Sequence, residues 1–236
     1  MNRVLKVARL HMNKPGAMFG VPLQIVLVVL VVSALISLML QRGGLDPASA
    51  EYVEGARWNQ GMIWSLPGFL IYYGVQAIAT TYPFALALGA TRRAHVLGTA
   101  LANVLLSLFI AAVMVALLGL ELATGHWFIH LYALDVYLLG SGNPVALFIT
   151  MFLITFVATS IGGFFGAVWV RFGSKGPTVA ALGLALVLVV LLLIFVPQLG
   201  EIIAAITRPL LAGVGVGIAL LAIFGTWLSM RRASVR

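Results

Sequence analysis

The apolar residues of this chain alternate with polar ones at neither the strand nor the helix period. They run in six blocks, over residues 18–40, 61–83, 97–120, 144–170, 178–196 and 209–230, with short polar interruptions between them. Wound as a helix at about 1.5 Å per residue, each block is long enough for a hydrocarbon core of roughly 30 Å. A helix that is apolar all round has no stripe to turn toward water, and lipid is the solvent that suits it. The pattern predicts an all-α, polytopic membrane protein of six spans.

Residues 1–15 follow another pattern. On a helical projection Val4, Leu5, Val7, Ala8 and Met12 share one arc and Arg3, Lys6 and Arg9 another, with Leu10 the exception. That is a basic amphipathic helix lying on a membrane surface, ended by Pro15-Gly16; a basic tail serving topology alone is the other reading. A basic start, an apolar run and Ala48-Ser49-Ala50 have the order of a secretory signal. The run is about twice too long and Ala50 lies too far beyond it, so an uncleaved first span is expected.

Between the spans, residues 41–60 carry Asp46, Glu51, Glu54 and Arg57, and a short helix is expected over 48–58, begun by Asp46-Pro47. Residues 121–143 hold Trp127, Phe128, Tyr132 and Tyr137, which suit an interfacial aromatic belt. Residues 198–208 hold Glu201 and an apolar stretch, 202–206, suited to dipping into the membrane. No loop has room for a soluble domain, and the whole of 1–236 reads as one membrane domain. The two halves show no repeat, which gives an inverted-repeat transporter no support.

Charge orients these spans. With six crossings, all six acidic residues fall on one side, accompanied by Arg42, Arg57 and Arg208; the other eleven Lys and Arg fall opposite. The positive-inside rule then places both termini in the cytoplasm and the chain in the plasma or inner membrane. Composition agrees: 62% hydrophobic and 8% charged residues, with a mean hydropathy of +1.13, exclude a chain soluble alone. The net charge of +8 is dispersed over loops and helix ends, a distribution that fits anionic lipid headgroups and not nucleic acid. The absence of cysteine removes disulfides and thiolate metal sites.

Catalytic constellations are missing. Gly173-Ser174-Lys175-Gly176-Pro177-Thr178 lacks the spacing of a phosphate-cradling loop, so ATP hydrolysis by this chain is not expected. No His-Glu-x-x-His occurs, and His11, His95, His126 and His130 all read as loop residues. His126 and His130 are spaced to share a helix face, with Asp135 near enough to be a third ligand; belt residues are the favoured reading, and no metal site or catalytic residue is assigned. No Asp, Glu, Lys, Arg or His lies inside the six blocks, which leaves ion-coupled transport without its titratable groups. Neutral polar residues remain, among them Gln76, Thr80, Asn103, Ser107, Thr155 and Thr159, as helix glue or as the lining of a pathway. Gly162 with Gly166, and Gly213 with Gly217, form small-xxx-small faces for close helix approach, within the chain or across a dimer seam. Pro67 marks a kink or break.

The most specific stretch is the turn between the second and third blocks, Tyr82-Pro83-Phe84-Ala85-Leu86-Ala87-Leu88-Gly89-Ala90-Thr91-Arg92-Arg93. Proline bends the span, Phe84 to Leu88 form an apolar helical turn, Gly89 permits reversal, and Thr91 caps the next helix. On residues alone, Arg92 and Arg93 serve topology and partner contact equally well. An apolar turn followed by Gly-x-Thr-Arg-Arg, together with six spans, an N-terminal surface helix and the ending Trp227-Leu228-Ser229-Met230-Arg231-Arg232, resembles the permease subunits of type-2 ATP-binding-cassette exporters.

That resemblance implies a pore-forming subunit that pairs with a second permease copy or a related permease and docks on two copies of a separate ATPase subunit. ATP and Mg²⁺ would be bound by the ATPase, and this chain would hold no cofactor. The short helix after span two would be the coupling helix, with Phe84, Leu88, Gly89, Thr91, Arg92 and Arg93 transmitting force and Arg3, Lys6 and Arg9 as secondary contacts. The segment between spans five and six is shorter than the paired re-entrant helices of many members, which shifts gating to residues 121–143. An amphiphilic cargo, whether drug, peptide or lipid, suits a pathway without fixed charge. A non-transporting membrane scaffold and a secondary transporter are the alternatives.

Overall fold

The computed structural model describes residues 2–231, and the expected Arg232 and Arg236 lie outside the described residues. Among the described residues there is no strand. Helix α1 (Arg3–Met12) is followed by a π-helical turn, Gly16–Gly20, that leads into α2 (Val21–Arg42). Then come α3 (Ala50–Arg57), α4 (Gly61–Ser65), α5 (Pro67–Ala79), α6 (Tyr82–Ala87) and α7 (Arg92–Ala123). After an irregular segment, α8 (Pro144–Phe172), α9 (Lys175–Phe195), α10 (Leu199–Ala204) and α11 (Arg208–Met230) complete the chain. Among the described residues six stretches are long and apolar enough to cross a membrane: Gly16–Arg42, Ala50–Ala87, Arg92–Ala123, Pro144–Phe172, Lys175–Ala204 and Arg208–Met230. The chain is a multi-pass membrane protein by these criteria.

Local chemistry explains the breaks. The second span is interrupted at Leu66, before Pro67, whose ring cannot continue the preceding helix. Helix α3 starts later than 48 because Ser49, not Asp46-Pro47, caps it, its Oγ accepting from the Tyr52 amide at 3.2 Å. Asp46 instead closes the preceding turn through the Ala48 amide, at 2.9 Å.

Helix α7 extends past the apolar block at both ends, which corrects the placement of His95 and Glu121 in loops: both lie within it. His11 is likewise helical, in α1. On α1 the buried face is Val7, Ala8 and His11, while Leu5 and Met12 of the expected apolar arc are exposed.

The chain forms two compact units. The first takes Met1–His11, Ile71–Leu101 and Val157–Arg236; the second takes Met12–Leu70 and Ala102–Phe156. Helices α5, α7 and α8 contribute to both, so neither unit is a continuous stretch of chain. In the first unit Ile78, Tyr82, Val96, Ala167 and Met230 form a buried cluster. The acidic residues other than Glu201 all belong to the second unit, and most of the basic residues belong to the first.

Candidate functional site

The turn of the first unit is built on backbone rules. At the end of α5, the Thr80 hydroxyl donates to the Gln76 carbonyl and that of Thr81 to the Ala77 carbonyl. Helix α6 then starts with Pro83 in its first turn. It closes with amides of Gly89 and Ala90 donating to carbonyls of Leu86 and Ala85, both at 2.9 Å, and Gly89 at φ +75°. That pair of bonds is a Schellman cap, and its left-handed residue carries no Cβ penalty when it is glycine. Thr91 caps α7, its Oγ1 accepting from the Ala94 amide at 3.2 Å.

This frame holds α6 with one face in and one face out. Tyr82 and Ala85 are buried, whereas Phe84 and Leu88, one turn apart, are 68% and 73% exposed. Two large apolar side chains are therefore displayed together on a helix whose opposite face is anchored. Arg92 donates to the Arg231 carbonyl, and the Arg231 guanidinium lies 4.8 Å from the Trp227 ring centroid. Arg93 is exposed beside them.

Helix α1 is seated on the same α7. A Cβ at Gly98 would stand 2.6 Å from Val7 Cβ and 2.7 Å from the Val4 carbonyl oxygen, so only glycine admits α1 this closely. His11 Nε2 and Thr99 Oγ1 are 3.0 Å apart in a buried hydrogen bond. Burial lowers the His11 pKa from its usual 6.5 to about 4. The His11 ring faces that of His95, 6.4 Å between centroids, and His95 in turn lies 5.4 Å from the Tyr82 ring.

Glycines also set the α5–α8 contact. Gly162 has no room for a Cβ against the Ile71 carbonyl, and at Gly166 a Cβ would be 2.6 Å from the Val75 carbonyl. The partner on α5 is Gly74, facing the Thr159 carbonyl, and the sequence pattern missed it because it has no second glycine four residues away. At Gly213 and Gly217, in contrast, a Cβ meets nothing within 4 Å among the described residues.

The polar residues considered for a pathway divide between the units. Gln76, Thr80 and Thr159 belong to the first; Asn103, Ser107 and Thr155 belong to the second. Thr80 is exposed, and Ser107 is buried with its hydroxyl donating to the Asn103 carbonyl at 2.8 Å, so both satisfy their own helices. Thr155 and Thr159 are buried on α8.

In the second unit, Glu121 organises the segment after α7. Its carboxylate is fully buried and accepts from the amides of Ala133, Leu134 and Asp135 at 2.9–3.2 Å and from Trp127 Nε1 at 3.2 Å. Four donors on one carboxylate compensate its desolvation. Asp135 Oδ2 accepts from Arg57 at 2.9 Å and lies 3.1 Å from His126 Nε2. Gly125, His126, Trp127 and Phe128 all have φ near +60°, a left-handed turn that presents Phe128 82% exposed. That turn overrides the helical spacing expected of His126 and His130, which do not share a helix face. Among the described residues no three His, Cys, Asp or Glu are grouped to hold a metal ion.

No family model, curated protein or solved structure matches the chain.

Proposed function

We propose that the chain is the membrane-spanning permease subunit of an ATP-binding-cassette exporter, with both termini and the α6–α7 turn cytoplasmic. A separate ATPase, two copies per assembly, binds ATP and Mg²⁺, and a second permease copy or a relative completes the pathway for an amphiphilic cargo. The observation that carries this reading is the display of Phe84 and Leu88 on α6 while Tyr82 and Ala85 fix its other face. An exposed apolar pair on an anchored helix suits a groove in a partner protein.

The mechanical logic follows from the contacts. A push on α6 is delivered to Tyr82 and thence to the cluster of Ile78, Val96, Ala167 and Met230, which joins α5, α7, α8 and α11 within one unit. The close α5–α8 contact at Gly74, Gly162 and Gly166 makes those helices move as one. The Arg92 bond to the Arg231 carbonyl ties the turn to the end of α11.

Purification with a Walker-motif ATPase encoded alongside, with and without Arg92→Ala and Arg93→Ala, tests the proposal. A permease raises the ATPase's hydrolysis and loses that effect with the changes. A scaffold binds no ATPase, and a secondary transporter moves cargo that stops when the ion gradient, not ATP, is removed.

A further inference from the structure

The second unit contains a cavity of about 430 Å³ between α2, α3 and residues 130–132. Its volume lies in the range of small-molecule sites. Ile36, Leu40 and Leu45 form apolar walls, Tyr52 and Gly55 form the α3 side, and Glu51 stands at the rim.

Three polar side chains of the lining, Ser37, Tyr52 and Asn59, are already engaged, and Ser33 and His130 line it as well. Ser37 Oγ and Tyr52 OH bond each other at 2.7 Å. Asn59 donates to the Tyr132 carbonyl at 3.2 Å and accepts from the Gly61 amide at 2.9 Å. The interior thus asks a ligand for few hydrogen bonds and rewards apolar bulk.

Charge selects among apolar ligands. Glu51 is exposed and is the one carboxylate in the lining, which contains no Lys or Arg and whose one basic ring is the exposed His130. Asp46 and Glu54 flank it in the chain, and Arg57 nearby is held by Asp135. We infer that this cavity is a binding site for a monovalent organic cation with a bulky apolar body, its charge facing Glu51. The assignment does not rest on the exporter reading, because every residue of the lining belongs to this chain.

Gly55 supplies a clean block. Gly55 lines the cavity and a Cβ there meets nothing within 4 Å, so Gly55→Phe adds bulk at the lining from a position with room for its first carbon.

The experiment is equilibrium dialysis of the full chain, in neutral maltoside micelles, against tetraphenylphosphonium. Tetraphenylborate, an anion of nearly the same shape, is measured separately. The expected result is saturable uptake of one cation per chain, weakened roughly fivefold by Glu51→Gln and more than tenfold by Gly55→Phe, with no saturable uptake of the anion. Equal affinity for both ions, or wild-type uptake by Glu51→Gln, overturns the inference. Wild-type uptake by a folded Gly55→Phe overturns it as well. If Gly55→Phe does not fold, Glu51→Gln and the ion comparison decide alone.

Discussion

His11 and Thr99, 88 positions apart, share a buried hydrogen bond of 3.0 Å that fastens the N-terminal helix to α7. The ring sits in a buried site that opposes its protonation whichever of the two groups donates. Burial lowers the His11 pKa to about 4, while the released helix titrates near 6.5. Between these values the detached form binds more protons, so docking is complete above about pH 6.5 and is lost as pH falls toward 4. His95 is the titratable ring facing His11, and Arg3, Lys6 and Arg9 on α1 add no carboxylate to offset a new charge. Hydrogen exchange of residues 3–12 should quicken across that window, with a cost on the order of 3 kcal/mol at its acid end. Thr99→Val should weaken protection at neutral pH.

The glycine contacts predict a sharp contrast between two positions of the same residue type. Gly162→Ala forces a methyl into the Ile71 carbonyl and should cost about 1–3 kcal/mol in detergent melts. Gly213→Ala meets open space and should leave the melting temperature within about 2 °C of the parent or raise it.

Glu121 predicts local order. Glu121→Ala leaves the three amides of Ala133, Leu134 and Asp135 and Trp127 Nε1 without their acceptor. A loss of about 3 kcal/mol is expected, read as faster proteolysis within residues 124–136. Glu121→Gln should rescue only part of it, because the amide replaces one acceptor oxygen with a donor.

Phe128 and the strained turn beneath it predict an effect on function without one on folding. Phe128→Ala removes an exposed ring and should leave thermal stability within about 0.5 kcal/mol of the parent. If residues 121–143 gate export, the same change alters transport while ATPase binding stays intact.

The six spans were legible because apolar runs of this length have one solvent. So were the Pro67 break, the Thr91 cap and the Gly89 reversal, each a local backbone rule. What the chain order hid were pairings between distant positions. Nothing near Gly74 announces that it faces Thr159, and nothing near Gly98 announces Val7. His95 and Glu121 look like loop residues because they flank an apolar block, yet α7 continues through both and buries them. The left-handed turn at Gly125–Phe128 escaped notice for a related reason: the carboxylate that folds its surroundings belongs to a different element.

The most direct measurement is the ATP hydrolysis rate of the neighbouring ATPase in nanodiscs, with the parent chain and with Phe84→Ala/Leu88→Ala. Both side chains are exposed, so the double change should leave the isolated chain's melting temperature unaltered. The account predicts that the parent stimulates hydrolysis and that the double variant loses ATPase association at least tenfold. An ATPase that binds the double variant as it binds the parent, or no ATPase partner at all, contradicts it.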